Sequence, residues 1–435
     1  MSKLAINGGT PIRSTYFPNQ NTIGQEEIEA VTKVIMRGRL SGYRANWCPE
    51  FMGGPEVQAL EEKWQDRFNV KHAIAVNSCT SGLQIACKAV GVGDDSYEQV
   101  IVTPYSMTCS ATAPMIFNAE PVFADIEPEH YCLDPDSVKE KINVFTKAII
   151  VVSLFGQPYD PRINEIAKEY NIPVIEDAAQ AIGSKLCMGY DEADGAHIAY
   201  AGTLGDIGVY SFNYGKHLTC GEGGMIVTDN DDLAFRCRLI RNHAEAVIAG
   251  MPSESTKRIN MDKNLIGFNM RMTEIDAAII QVQLDKFDDL LYQRMENVEY
   301  LQNRLRQIPA IKVTGPREAC THTYYVLPFQ WDSEKAGGLH RDKYIEAVKA
   351  ELMPRLGREG EGAPIGCGYI KPLYTMPLFQ NLGIYEEGLC PVCEDLSYNK
   401  LFLTLYHAPN STTKDMNEVA QAFEKVWENR RELEE

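Results

Sequence analysis

The chain has 435 residues, of which 44% are hydrophobic and 23% charged, and carries a formal net charge of −18. That length exceeds one ordinary small domain, and the balance is that of a globular protein able to bury a large core. The acidic surplus argues against nucleic acid or an anionic membrane as the main partner, although a few local donors suffice to seat a phosphate on an acidic protein.

The predicted elements alternate along the first half of the chain. Glu56 to Phe68 reads as a helix, His72 to Val76 as a strand and Ser81 to Ala89 as a helix. Gln99 to Thr103, Pro121 to Asp125, Ala148 to Leu154 and Pro173 to Glu176 are further β-rich runs, with Lys139 to Ile142 and Ile163 to Tyr170 as helices between them. Such alternation predicts an α/β fold with a mostly parallel sheet flanked by helices. Gly208 to Phe212 and Gly224 to Thr228 read as two more strands around a glycine-rich loop.

Thr273 to Tyr300 has one long helical pattern, with Ile275, Ala278, Ile279, Val282, Leu284, Phe287 and Leu291 as its expected buried face. Beyond it, Tyr324 to Phe329 reads as a strand, Asp342 to Leu352 as a helix, Gly357 to Pro377 as a loop and Lys414 to Glu432 as a last helix. We therefore expect a large domain over 15–285 and a smaller α+β domain over 286–435, with 1–14 packing on the latter. No apolar run approaches the roughly 18 residues that span a bilayer. The opening residues lack a signal-peptide pattern, so a cytoplasmic location is expected. The twelve cysteines form no regular framework. Cys390 and Cys393 make one C-x-x-C with no second pair, so neither a metal site nor a redox pair is expected.

Three stretches carry chemistry. Lys216 follows a predicted strand in a loop of small residues, where an amine whose ammonium form is disfavoured becomes a nucleophile for carbonyl groups. Ser211 precedes it by five residues, and Gly221 to Gly224 let backbone pass close to a ligand. An ordinary loop lysine is the plainer reading. Asp177 ends an apolar strand, and in open α/β sheets that end faces the ligand crevice. A buried carboxylate there needs a cationic partner such as a protonated pyridine nitrogen, unless it merely caps a helix. Val76 to Leu83 runs from strand into helix through Ser78, Thr80 and Ser81, which suits either N-capping or a phosphate seat. Together these supply a phosphate seat, a pyridinium partner and a Schiff-base lysine, the set that pyridoxal 5′-phosphate (PLP) requires.

These residues resemble the DegT/DnrJ/EryC1/StrS family of sugar aminotransferases, of PLP fold type I. Gly38 to Gly42 is similar to its early glycine loop, Glu176 to Ala181 to its aspartate motif, and Ser211 to Lys216 with Gly221 to Gly224 to its lysine motif. Arg241-Asn242-His243 resembles its R-N-H-G element with Ala244 in place of glycine, and Gly267 to Ala278 its N-x-R-M segment. The resemblance implies that Lys216 holds PLP as a Schiff base and Asp177 keeps its ring nitrogen protonated. It places Gln180 against the ring face or phenolic oxygen, and Cys79, Thr80 and Ser211 around the phosphate. It implies that Asn269 reaches the phosphate of a neighbouring subunit, making a homodimer with shared active sites. Two departures stand out. Cys79 replaces a usual glycine, and Met107 falls where an aromatic residue usually stacks on the cofactor, with Tyr105 as a second candidate. The segment from Met188 to Thr203 is also longer than the usual connection.

The activity so implied is transfer of an amino group from glutamate or glutamine to a keto group of a sugar, nucleotide-linked above all, or of a cyclitol. A PLP dehydratase or a 3-amino-5-hydroxybenzoate synthase-like enzyme is the alternative. Relatives that dehydrate place histidine where Lys216 stands, so the lysine favours transamination, and neighbouring His217 is expected to be structural. Tyr324 and the Gly368 to Tyr374 loop are candidate contributors to the acceptor cleft; within that loop packing and solvent are the better readings of Tyr369 and Lys371.

Overall fold

A computed structural model describes residues 3–191, 195–244, 247, 251 and 265–433. Its larger sheet contains β1 (His72–Val76), β2 (Gln99–Val102), β3 (Glu120–Phe123), β4 (Thr146–Val152), β5 (Val174–Asp177), β8 (Ile207–Ser211) and β9 (Gly224–Thr228), in the order β1-β9-β8-β5-β4-β2-β3. The pairings from β8 through β3 are all parallel, while β9 runs against both its neighbours. Because β9 reverses twice, β1 runs the same way as β8. The carboxyl ends of β1, β8, β5 and β4 therefore open on one edge, where such sheets bind ligands. The mostly parallel α/β sheet expected from the sequence is thus present.

The inner strands are apolar on both faces, as a sheet covered by helices on both sides requires. The helices in this part are α1 (Gln25–Arg37), α2 (Pro55–Phe68), α3 (Cys79–Ala89), α4 (Cys109–Met115), α5 (Pro135–Lys141), α6 (Arg162–Tyr170) and α7 (Asp231–Arg241). A β-hairpin of β6 (Lys185–Asp191) and β7 (Gly195–Tyr200) accounts for much of the long connection noted from Met188 to Thr203; 192–194 lie outside the described residues.

The predicted helix from Thr273 to Tyr300 is two helices, α8 (Glu274–Asp285) and α9 (Phe287–Leu305), meeting at Lys286. They break because they serve different cores. Ala277, Ile280 and Leu284 join Trp64 and Tyr210 on the larger sheet, whereas Val298, Leu301 and Leu305 join Phe329 and Phe423. Lys286 turns toward α1 and pairs with Glu26 and Glu27 at 3.0 and 2.8 Å. Of the expected inward face, Ala278, Leu284 and Phe287 are buried, but Ile275, Ile279, Val282 and Leu291 are only half-buried.

The second sheet has the order β10-β11-β13-β12, comprising β10 (Ile311–Lys312), β11 (Leu327–Trp331), β12 (Ile365–Cys367) and β13 (Leu401–Thr404), with every pairing antiparallel. Helices α10 (Arg341–Ala350) and α11 (Thr413–Glu428) contribute apolar side chains to its core. β11 starts later than the sequence predicts because Tyr324 takes a left-handed conformation at φ 46° and ends the preceding loop. α11 stops at Glu428, and a 3-10 turn over Arg430–Leu433 follows. On β13, Phe402 faces the smaller core while Leu401 and Leu403 face the larger, so period-two alternation joins the two sheets. Near the N-terminus, the Ala5 and Ile12 amides donate to Glu351, a buried carboxylate that also pairs with Lys425 at 2.7 Å. Among the described residues, no helix is long and apolar enough to cross a membrane.

Candidate active site

A cavity of about 460 Å³ lies at the carboxyl ends of these strands. Its lining brings together Cys79, Thr80, Met107, Asp177, Gln180, Ser211 and Lys216, seven of the eight residues singled out from sequence. The eighth, Asn269, is exposed, accepts a hydrogen bond from Arg271 Nε at 2.7 Å, and does not line its own chain's cavity.

The sheet register explains the convergence. Val76, Gly224 and Ser211 stand abreast on β1, β9 and β8. One turn beyond Val76, α3 begins at Cys79 with its N-terminal amides toward the cavity edge, and the first-turn N–H groups of a helix have no partner within it. Ser78 caps the helix by accepting from the Ser81 amide at 3.0 Å. Gly224 is required here for close approach, since a Cβ would lie 2.7 Å from the Cys79 nitrogen. Free amides, Thr80 and Ser211 together make a cradle for an anion.

Asp177 and Glu176 end β5 and point to opposite faces. Asp177 is 3% exposed and accepts from Ser110 Oγ at 2.8 Å and from the Ala179 amide at 3.1 Å, with Cys79 Sγ at 3.8 Å. Burial pushes its carboxyl above the usual range, opposed by these donors and by the charge of Lys216. The donors in contact are neutral, so a cation placed in the cavity would complete its environment. Glu176 instead accepts from Ser153 Oγ at 2.7 Å and the Leu204 amide at 3.1 Å, and burial raises it to about 7. It ties β5 to neighbouring loops and takes no place in the cavity lining.

Lys216 sits in the Phe212–Cys220 loop, with its amide on the Asn213 carbonyl at 2.9 Å and its ammonium 4.3 Å from the centre of the Tyr325 ring. That loop closes on itself through the Tyr214 amide to the Gly221 carbonyl and Cys220 to Phe212. Glu222 also lines the cavity and accepts from Asn213 Nδ2 at 2.8 Å. His217 points away as expected. It is buried, its Nε2 donates to the Thr323 carbonyl at 3.0 Å, and burial holds its pKa well below the ordinary value.

Gln180 uses both ends of its amide, accepting from the Phe155 amide at 2.8 Å and donating to the Tyr369 hydroxyl at 3.0 Å. Phe155 has φ 60°, a left-handed conformation that costs a non-glycine residue energy and aims its N–H at Gln180. Sequence reasoning missed Phe155; its Phe-Gly step after an apolar strand was the available signal. It also chose Tyr324 where the structure brings Tyr325 to the cavity. Tyr324 is instead buried, stacked on His322 with ring centres 3.8 Å apart. Tyr369, for which packing was the better reading, lines the cavity, whereas Lys371 is exposed and does not. Met107 lines it with its side chain half in solvent, while Tyr105 is fully buried with its hydroxyl accepting from the Tyr369 amide at 2.8 Å. Cys79 and Cys109 supply two more sulfurs, and burial raises both thiols, Cys109 to about 11. They are therefore neutral packing groups with little nucleophilic character.

An uncompensated buried carboxylate, an amine and an anion cradle along one cavity match the three polar ends of PLP, so the donor set fits that cofactor. The model of the DegT/DnrJ/EryC1/StrS aminotransferase family matches residues 21–424. An L-glutamine:2-deoxy-scyllo-inosose aminotransferase of Streptomyces kanamyceticus is 30% identical over 99% of this chain and 98% of its own length. The spore coat polysaccharide biosynthesis protein SpsC of Bacillus subtilis is also 30% identical, over 93% and 95%. Among solved structures, an aminotransferase from Psychrobacter cryohalolentis is 26% identical and superposes with a TM-score of 0.78, covering 95% of this chain and 99% of its own. A family model spanning nearly the whole length, on a cavity built for its cofactor, establishes that the chain belongs to the DegT/DnrJ/EryC1/StrS aminotransferase family.

Proposed function

We propose that this enzyme moves the amino group of L-glutamine to a keto group of a cyclitol or sugar. The observation that carries the reading is that buried Asp177 and the amine-bearing Lys216 line one cavity, in a chain whose full-length relatives include L-glutamine:scyllo-inosose aminotransferases. PLP, when bound, supplies an electron sink for charge developing at the donor's α-carbon. Asp177 would hold the proton on the ring nitrogen that keeps the sink effective. The freed Lys216 amine takes the proton from the donor's α-carbon and then returns one, as general base and acid. Thr80, Ser211 and the first amides of α3 would hold the phosphate. Gln180, fixed from both sides, would present its amide to the ring region, and Met107, which lines the cavity where Tyr105 does not, would offer its thioether to the ring.

The working unit in this reading is a homodimer in which Asn269 reaches the partner's phosphate. Its exposure, and the half-buried Ile275, Ile279 and Val282 on α8, support that reading. In this reading the chain divides into a larger part over 15–285 and a smaller one over 286–435; the distinct core on the smaller sheet supports the division, while Leu373, Tyr374 and Leu401 of the smaller part pack into the larger core.

The visible spectrum of purified protein with PLP tests this function. A lysine-bound cofactor band that is lost on adding glutamine, with nitrogen then appearing on a keto-cyclitol or keto-sugar, is the expected result. A band that neither glutamine nor glutamate alters would overturn the transaminase reading, and loss of a hydroxyl group without nitrogen transfer would replace it with dehydration.

A further inference from the structure

Three successive residues, Thr323, Tyr324 and Tyr325, join the lysine loop to the C-terminal part. His217, next to Lys216, donates from Nε2 to the Thr323 carbonyl at 3.0 Å. The Tyr325 ring centre lies 4.3 Å from the Lys216 ammonium, within reach of a cation–π attraction. Between them Tyr324 sits at φ 46°, a left-handed conformation that costs a bulky residue energy and persists only where its surroundings hold it. That turn decides which way the next ring faces, so the groups that hold it set Tyr325 against the amine.

The Tyr324 carbonyl accepts two hydrogen bonds, from Arg294 Nη1 at 3.0 Å and from His407 Nε2 at 2.8 Å. Both donors are buried, at 3% and 0% exposed. Arg294 comes from α9, and one turn along that helix Asn297 donates to the carbonyls of His407 and Ala408 at 3.4 and 3.3 Å. One helix face thus fixes both the guanidinium and the loop that carries the imidazole. Among the described residues Arg294 has no carboxylate partner, and burial pulls its pKa down to about 10. A buried charge without a counter-ion is costly, and an apolar side chain of similar volume commonly serves a core as well or better. Packing alone does not account for this arginine.

We infer that Arg294, together with His407, is a positioning residue of the reaction, clamping the Tyr324 carbonyl so that the Tyr325 ring is seated against the Lys216 amine. Neither residue lines the cavity, so the effect passes through Tyr325. Loss of one donor lets the strained turn relax, and a shift of about 1 Å in a group beside the reacting atoms is worth up to roughly 100-fold in rate. This inference rests on the assignment of Lys216 to PLP above.

The test follows the rise of the lysine-bound cofactor band when PLP is added to the PLP-free protein, beside the affinity for pyridoxamine 5′-phosphate, which cannot bond to the lysine. Arg294→Met, neutral and of similar length, should slow the band by roughly 10- to 100-fold and leave the pyridoxamine phosphate affinity within about 2-fold. Arg294→Lys, which keeps a charged donor, should recover most of the rate. Tyr325→Leu should slow the band by itself. Arg294→Met added to it should slow the band no further, since residues that act through one another are not additive. His407→Gln should repeat the pattern, and it carries the same cycle if Arg294→Met does not fold. An unchanged rate in whichever variant folds would overturn the inference. Equal slowing with and without the Tyr325 ring, or a parallel loss of pyridoxamine phosphate affinity, would do the same. A parent that forms no lysine-bound band would instead remove the assignment of Lys216, and the inference with it.

Discussion

The floor and the rim of the cavity are built by different rules. The floor consists of strand ends on the larger sheet, and its polar groups are held by short fixed bonds, such as Ser110 and Ala179 on Asp177. The rim comes from loops of the C-terminal part, where Tyr325 meets the floor through its ring face and Tyr369 through its hydroxyl. A fixed floor serves chemistry that is the same for every substrate, and an adaptable rim serves choice among substrates. Floor substitutions should therefore change rate whatever the donor, and rim substitutions should change which donor is used.

The largest effect expected is on the floor. Lys216→Ala should leave a folded protein whose turnover falls by about 10²- to 10⁴-fold, since the proton-transfer group is gone; normal turnover would erase the distinction. Asp177→Asn should slow proton transfer by roughly 10²- to 10³-fold, the usual worth of one fixed electrostatic partner. Cofactor affinity should change much less, and equal single-turnover rates in mutant and parent would contradict the role assigned to Asp177.

Glu176, one residue away and facing elsewhere, should affect stability and not rate. Burial holds it at about 7, above its ordinary 4.5, so the folded chain keeps a proton that the unfolded chain has released between those values. Stability contributed by this group therefore falls as pH rises from 4.5 to about 7 and is level beyond. The full span amounts to about 3 kcal/mol at about 1.36 kcal/mol per pH unit. Denaturant unfolding across pH should show Glu176→Gln lacking that slope; an unchanged slope would place the titration elsewhere.

Gln180 joins floor to rim, and Gln180→Ala would strand the Phe155 amide and free the Tyr369 hydroxyl. A stability loss of about 1–3 kcal/mol is expected from the orphaned donor. Donor preference should alter more than maximal rate, and the reverse would assign Gln180 to the floor alone.

The same division explains what was legible in the sequence. Floor residues lie in short contiguous motifs, Ser78 to Ser81, Glu176 to Gln180 and Ser211 to Gly224, where small residues after an apolar strand mark a strand end at a ligand crevice. The rim is assembled from positions far apart in the chain whose local patterns resemble ordinary loops. Tyr324 was preferred to Tyr325 because the strand was expected to begin there; the left-handed turn at Tyr324 reverses which neighbour faces the cavity. Likewise, one periodic pattern over Thr273 to Tyr300 cannot reveal that its two halves belong to different cores, a fact decided only by long-range packing.

The loop after β4 and the segment before β11 are stitched by backbone, Thr323 N to Gly156 O at 3.2 Å and Tyr325 N to Phe155 O at 2.6 Å. Gly156 at φ 109° leaves no room for a side chain there, since a Cβ would fall 2.6 Å from the Tyr324 nitrogen. This seam behaves as a weld and not as a hinge. It fixes the backbone of Tyr325, whose ring lies 4.3 Å from the Lys216 ammonium. Surface turns remote from this seam can therefore change in length or charge without disturbing the ring that guards the lysine.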